Sequence, residues 1–153
     1  MTVTDMTLAH LDEVYEIETH SFSIPWSKNE FRREIIENKH AIYKVALLAP
    51  SKVAGYAGMW HIVNEGQITN IAVAGKYRRK GVGSLLLESL IAAAYKKEMI
   101  GLTLEVRASN TAAQLFYKKY GFKPEGIRKG YYINPAGQPG ANREDAIIMW
   151  KYI

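Results

Sequence analysis

Residues 68–84 constrain what this chain can fold into more than any other stretch. Ile68-Thr69-Asn70-Ile71-Ala72-Val73 reads as a strand and Ala74-Gly75-Lys76-Tyr77-Arg78-Arg79-Lys80 as a basic turn. A helix then opens near Gly83 with Leu85, Leu86 and Leu87 and runs to Lys97. The first N–H groups of such a helix have no internal partner and carry the positive end of its dipole. Gly81 and Gly83 lack a Cβ, so an oxygen-rich anion approaches the amides around Val82 and Ser84 closely. Arg78, Arg79 and Lys80 add charge at the same point, and a diphosphate is the natural ligand. Two plainer readings of the basic run stay open, a nucleic-acid patch or a solvated turn. The usual nucleotide loops do not fit. No Lys-Ser/Thr pair follows the second glycine, and the third glycine of a dinucleotide fingerprint would fall at Leu86.

The rest of the chain alternates strands and helices around this unit. Residues 2–6 read as a strand, and Leu8, Leu11, Val14 and Ile17 recur at helical spacing up to about Ser21. Phe22-Ser23-Ile24-Pro25-Trp26 ends that helix, because proline restricts its own φ and its predecessor's conformation. Ser27-Lys28-Asn29-Glu30 is a capping box, which starts a second helix at Ser27 running through Ile36. Strand-like runs at 41–49, 53–63 and 67–73, joined by Pro50-Ser51-Lys52 and Asn64-Glu65-Gly66, form an antiparallel meander. After the basic turn and its helix come a strand at 102–107, a short helix at 110–120 closed by Gly121, and strands at 122–128 and 145–152. The order βααβββαβαββ predicts one mixed α/β domain over residues 1–153.

Composition narrows the chemistry. The chain has no cysteine, which removes disulfides, thiolate nucleophiles and cysteine zinc sites. His10, His20, His40 and His61 are scattered without ligand spacing, so no metal is expected. No apolar run approaches the roughly 20 residues that span a bilayer, and Met1-Thr2-Val3-Thr4-Asp5 is no signal peptide. The expectation is a cytoplasmic protein with no membrane partner. A net charge of +5 suits an anionic ligand, an acidic protein or a ribosomal partner, or serves solubility alone.

Arg78-Arg79-Lys80-Gly81-Val82-Gly83 resembles the acetyl-CoA signature (Q/R)-x-x-G-x-(G/A) of the GNAT acetyltransferases. Leu104-Glu105-Val106-Arg107-Ala108-Ser109-Asn110, with Leu115-Phe116-Tyr117-Lys118-Lys119-Tyr120-Gly121-Phe122, looks like the segment that closes the cofactor site in that family. Ile24-Pro25-Trp26-Ser27, Gly130-Tyr131-Tyr132 and Arg143-Glu144-Asp145-Ala146-Ile147-Ile148-Met149 are similar to the ribosomal-protein alanine acetyltransferases (RimI type) and their archaeal N-terminal acetyltransferase relatives. The resemblance covers essentially the full chain. It implies the GNAT fold, a mixed and mostly antiparallel sheet with a splayed central strand pair, flanked by four helices. It implies transfer from acetyl-CoA, as cosubstrate, to the α-amine of a protein N-terminus in a ternary complex. The partner is then a ribosomal protein or the ribosome, without direct nucleic-acid binding. Residues 134–142 are longer and richer in proline and glycine than the family's loop, so peptide preference is expected to differ.

By the same resemblance, Ile71, Ala72, Val73, Arg78, Arg79, Lys80, Gly81, Val82, Gly83, Ser84, Asn110 and Tyr117 hold the cofactor. Phe22, Ile24, Pro25, Trp26, Tyr131 and Tyr132 line the peptide groove. The chemistry asks for few groups. The amine must lose a proton before attacking a thioester, and Glu105 matches the family's general base. The departing thiolate needs a hydrogen-bond donor, and Tyr117 matches its general acid. The oxyanion needs a donor too, which a backbone N–H near Ile71–Val73 supplies. Plainer roles remain open for each. Glu105 is equally an exposed strand residue paired with Arg107, Tyr117 a core aromatic beside Phe116, and Asn110 an N-cap. The groove aromatics are equally packing residues. Two other functions also stay open: acetylation of a lysine side chain or small amine, and a non-catalytic module binding acyl-CoA or nucleic acid.

Overall fold

The computed structural model describes residues 1–134 and 143–153. Its strands are β1 (Thr2–Asp5), β2 (Ala41–Leu48), β3 (Lys52–Ile62), β4 (Glu65–Val73), β5 (Gly101–Arg107), β6 (Lys123–Ile133) and β7 (Arg143–Tyr152). Its helices are α1 (Leu11–Ser21), α2 (Lys28–Ile36), α3 (Val82–Lys96) and α4 (Thr111–Lys119). The strands form one sheet ordered β1-β2-β3-β4-β5-β7-β6. Neighbours are antiparallel except β4 and β5. The expected element order and mixed α/β sheet are both present. Among the described residues no helix is long and apolar enough to cross a membrane.

Alternating side chains give the sheet two covered faces. On one, α3 buries Val82, Leu86, Leu87 and Leu90 against Ala46, Ala54, Ala57 and Leu104. On the other, α1 and α2 bury Leu11, Val14, Ile17 and Phe31 against Tyr43, Val45, Val53 and Tyr56. Element ends differ from the sequence reading where caps decide them. Ser27 lies outside α2 as its N-cap, accepting from the Glu30 N–H at 3.1 Å while Glu30 accepts from the Ser27 N–H at 3.2 Å. Leu8–His10 is a separate 3₁₀ turn before α1. Strand β4 starts at Glu65 rather than 67, leaving Val63 and Asn64 as the turn. The predicted turn at 134–140 falls largely outside the described residues, and β6 and β7 extend to its margins.

Two irregularities shape the centre. In β4, Asn70 pairs with Gly58 but Ile68 with Met59, so Thr69 is an inserted residue. A bulge of this kind switches the faces of the residues on either side of it. Ile68 joins the α3 face, while Ala72 joins the α1 and α2 face. The parallel β4–β5 pairing also stops at Gln67 and Thr103. From there to Val73 and Arg107 the two strands run apart, which is the expected splay.

Candidate functional site

Two cavities open where β4 and β5 separate, and they meet at the shared residues Ser21, Phe22, Ile71, Asn110, Ala113 and Tyr117. The first, of about 650 Å³, runs along Ile71, Ala72 and Val73 to the start of α3 at Gly81, Val82, Gly83 and Ser84, with Arg78 and Arg79 beside it. Gly81 caps α3 at φ 81°, the left-handed region that glycine enters without penalty, and a Cβ there would stand in open space. No side chain caps this helix, and its first internal bond is Leu85 N–H to the Gly81 carbonyl. The N–H groups of Val82, Gly83 and Ser84 therefore face the groove with the dipole behind them. Arg78 Nε donates to the Val73 carbonyl at 3.2 Å, which folds the basic turn back on the strand. Lys80 is exposed and is not part of the groove wall.

The second cavity, of about 600 Å³, is walled by Phe22, Ile24 and Trp26 from the α1–α2 loop and by Tyr131 and Tyr132 from β6. Pro25 shapes that loop without lining the wall. Glu105 projects into this cavity from β5. The plainer alternative, a pairing with Arg107, is not what the structure holds. Glu105 instead accepts from Arg128 Nε on β6 at 3.1 Å, its side chain 12 % exposed. Arg107 turns to Glu144 and Asn134, at 3.1 Å each, and stacks over the Tyr132 ring at 4.5 Å. Glu144 also accepts from the Ser109 N–H at 2.7 Å. The Ser109 side chain and its N–H, with Arg107 adding to them, hold the Glu144 carboxyl below the usual carboxylate range. Between Arg128 and Tyr132 the strand bulges, and Gly130, at φ 59°, donates its N–H to Asp145 at 2.9 Å.

Tyr117 on α4 lines both cavities, and among the described residues its hydroxyl has no hydrogen-bond partner. Burial pushes its phenol up to about 12, so it carries its proton through neutral pH. Its ring packs edge-on to Phe116 and Phe122, so the core-aromatic role expected as an alternative is also filled. Tyr120 points elsewhere and donates to Glu88 at 3.2 Å. Asn110 caps α4, accepting from the Ala113 N–H at 3.1 Å, and lines both cavities as well. Burial also raises the Tyr132 phenol, with Tyr131 and Glu105 adding to the effect.

Two residues of the second cavity escaped the sequence reading. Glu18 and Asn70 are the buried polar side chains of the described residues, 2 % and 8 % exposed. Burial raises the Glu18 carboxyl above its ordinary range, against the pull of hydrogen bonds from Tyr56, Trp26 and Asn70. A signal was present. Glu18 stands four residues after Val14 and seven after Leu11, a charge on the apolar stripe of α1.

Comparison with known proteins gives this geometry a family. Residues 11–122 match the acetyltransferase (GNAT) family. A Bacillus subtilis (strain 168) protein provisionally named a ribosomal protein bS18-alanine N-acetyltransferase is 44 % identical over 148 residues, 97 % of this chain and 93 % of its own. The Escherichia coli (strain K12) ribosomal protein bS18-alanine N-acetyltransferase is 37 % identical over 149 residues, 97 % and 95 % of the two chains. The crystal structure of the Escherichia coli ribosomal-protein-S18-alanine N-acetyltransferase superposes with a TM-score of 0.87 at 34 % identity, covering 99 % of this chain and 93 % of that one.

Proposed function

The chain belongs to the acetyltransferase (GNAT) family, and from that premise we propose that it transfers the acetyl group of acetyl-CoA to the N-terminal α-amine of ribosomal protein bS18. The observation that carries this reading is the meeting of the two cavities at Tyr117, Asn110 and Ile71. One has an anion cradle at its far end, and the other an aromatic-walled groove with a carboxylate in it. The residues present fit acetyl-CoA. Uncapped α3 amides and Arg78 and Arg79 suit a diphosphate, and the main chain of β4 past Gln67, without a β5 partner, suits a pantetheine arm laid beside it.

Acetyl-CoA supplies a thioester carbonyl as the electrophile. Glu105 accepts the proton of the attacking amine, directly or through one water, and shares its carboxylate with Arg128 until the amine arrives. Tyr117 donates to the departing sulfur from the boundary of the two cavities. Arg107 holds Tyr132 against the groove while Asp145 fixes the bulge at Gly130, so Tyr131 and Tyr132 form one wall. The chain has no cysteine to carry an acetyl group, and the meeting of the two cavities at Tyr117 supports direct transfer with both substrates bound together. The test is acetyl transfer to a panel of N-terminal peptides, including that of bS18, read by mass spectrometry. Acetylation at the α-amine of an alanine-starting peptide is expected. No transfer to any N-terminal peptide, with transfer to a polyamine or lysine instead, would replace this reading.

A further inference from the structure

Glu18 takes no part in the chemistry above, yet it is the most deeply buried carboxylate of the cavity, and no ion pair among the described residues neutralises it. A buried carboxyl without a cation is costly, and an apolar residue would extend the Leu11–Val14 stripe at less cost. Neutral donors surround it instead. Tyr56 donates its hydroxyl to Oε1, and the Trp26 N–H donates to Oε2 at 2.8 Å. The Asn70 side chain lies beside it on the cavity wall and eases its ionisation. Asn70 Oδ1 accepts from the Thr69 hydroxyl at 2.6 Å.

These contacts join elements that shape one wall of the cavity. Trp26 ends the α1–α2 loop, whose Phe22 and Ile24 also line that wall. Asn70 sits directly after the Thr69 insertion and faces α1 because of it. The Trp26 ring is held separately, packed 5.3 Å from Phe31, so the carboxylate acts on the loop's main chain. We propose that Glu18 is a positioning residue for the peptide substrate, one that fixes the α1–α2 loop against the sheet beside the β4 bulge so that the groove is formed before the peptide arrives. This rests on reading that cavity as the peptide groove.

Two measurements test it. Amide exchange at Trp26 in the wild-type protein without substrates needs no assay: protection there is expected, and exchange at the rate of an open loop overturns the proposal. Kinetics of Glu18→Ala and Glu18→Gln, with Tm measured for each, then separate positioning from folding. Loss of a hydrogen bond to a charged group should raise KM for an alanine-starting peptide about tenfold in Glu18→Ala. The KM for acetyl-CoA should stay within about twofold in the same variant. Glu18→Gln, whose carbonyl still accepts from Trp26, should recover most of the loss. Equal rises in the two KM values, or an unchanged peptide KM in folded Glu18→Ala, overturn the proposal. If the alanine variant does not fold, the wild-type Trp26 amide decides. If the wild type acetylates no N-terminal peptide, the proposed substrate fails while Trp26 protection still reports the loop.

Discussion

In the proposed reaction Glu105 and Tyr117 would each handle one proton, and their surroundings differ. Glu105 has a charged partner in Arg128, while the Tyr117 hydroxyl is left with none among the described residues. Replacing Glu105 with Gln should lower kcat/KM on peptide by roughly 10²–10⁴-fold, the usual weight of a general base, with acetyl-CoA affinity by calorimetry unchanged. Wild-type turnover in that variant would remove Glu105 from the mechanism. Tyr117→Phe removes only a hydroxyl, so transfer should slow while Tm holds. A large drop in Tm would instead make the hydroxyl structural. With its phenol pushed up to about 12, Tyr117 stays protonated below that value. Rates between about pH 8 and pH 10 should therefore not fall through loss of its proton. Many residues that face the cavities were legible in local motifs, though Glu18 and Asn70 were not, and Pro25 and Lys80 stand off the walls. Which cation meets Glu105 was not, because Arg128 reaches it only through the β6–β7 register and its bulge. Local alternation suggested Arg107, which shares a strand face with Glu105, but Glu144 on β7 draws it away.

Between elements, the start of α3 and the β5–β7 junction decide different properties. Gly81 combines a left-handed cap with open space over the groove. A branched residue there pays about 1–2 kcal/mol for the left-handed backbone and also occupies the place of the phosphates. Gly81→Val should therefore abolish acetyl-CoA binding by calorimetry and lower Tm modestly. Wild-type affinity in the folded variant would put the phosphates elsewhere. At the junction, Glu144 is held low by the Ser109 side chain and N–H and by Arg107, so it favours the folded state when ionised. Its contribution is present above its unfolded value and lost as pH falls through its lowered folded value. Glu144→Gln should accordingly lower Tm near neutral pH and flatten the decline of Tm on the acid side. An acid limb identical to wild type would show that other carboxylates govern it. Periodicity and caps made the elements legible, as at Ser27 and Gly121, because those signals are local. The inserted Thr69 and the bulge at Gly130 were not, since each exists only against its partner strand.

Across the whole molecule, the cavities set which amine meets the thioester. In the proposed reading the peptide enters the cavity lined by Phe22, Ile24, Trp26, Tyr131 and Tyr132, with Tyr117 where it meets the cofactor cavity. A chain terminus fits such a groove end-on. A lysine reaches the same point only with backbone extending to both sides of its stem. Protonation acts in the same direction. An α-amine titrates near pH 7.7–8.0 and a lysine near 10.4, so close to neutrality the α-amine offers far more of the neutral nucleophile. That gap of about 2.5 units is worth roughly 3 kcal/mol before any contact is made. Glu105 does not cancel it, since a carboxylate that accepts the first proton meets the same difference in amine basicity. A peptide that starts with alanine and carries an internal lysine should thus be acetylated at its N-terminus first. Tandem mass spectrometry would locate the acetyl group at early turnover. An acetyl group found mainly on lysine, with the α-amine still free, would overturn the N-terminal substrate, while the cradle at α3 would still account for acetyl-CoA.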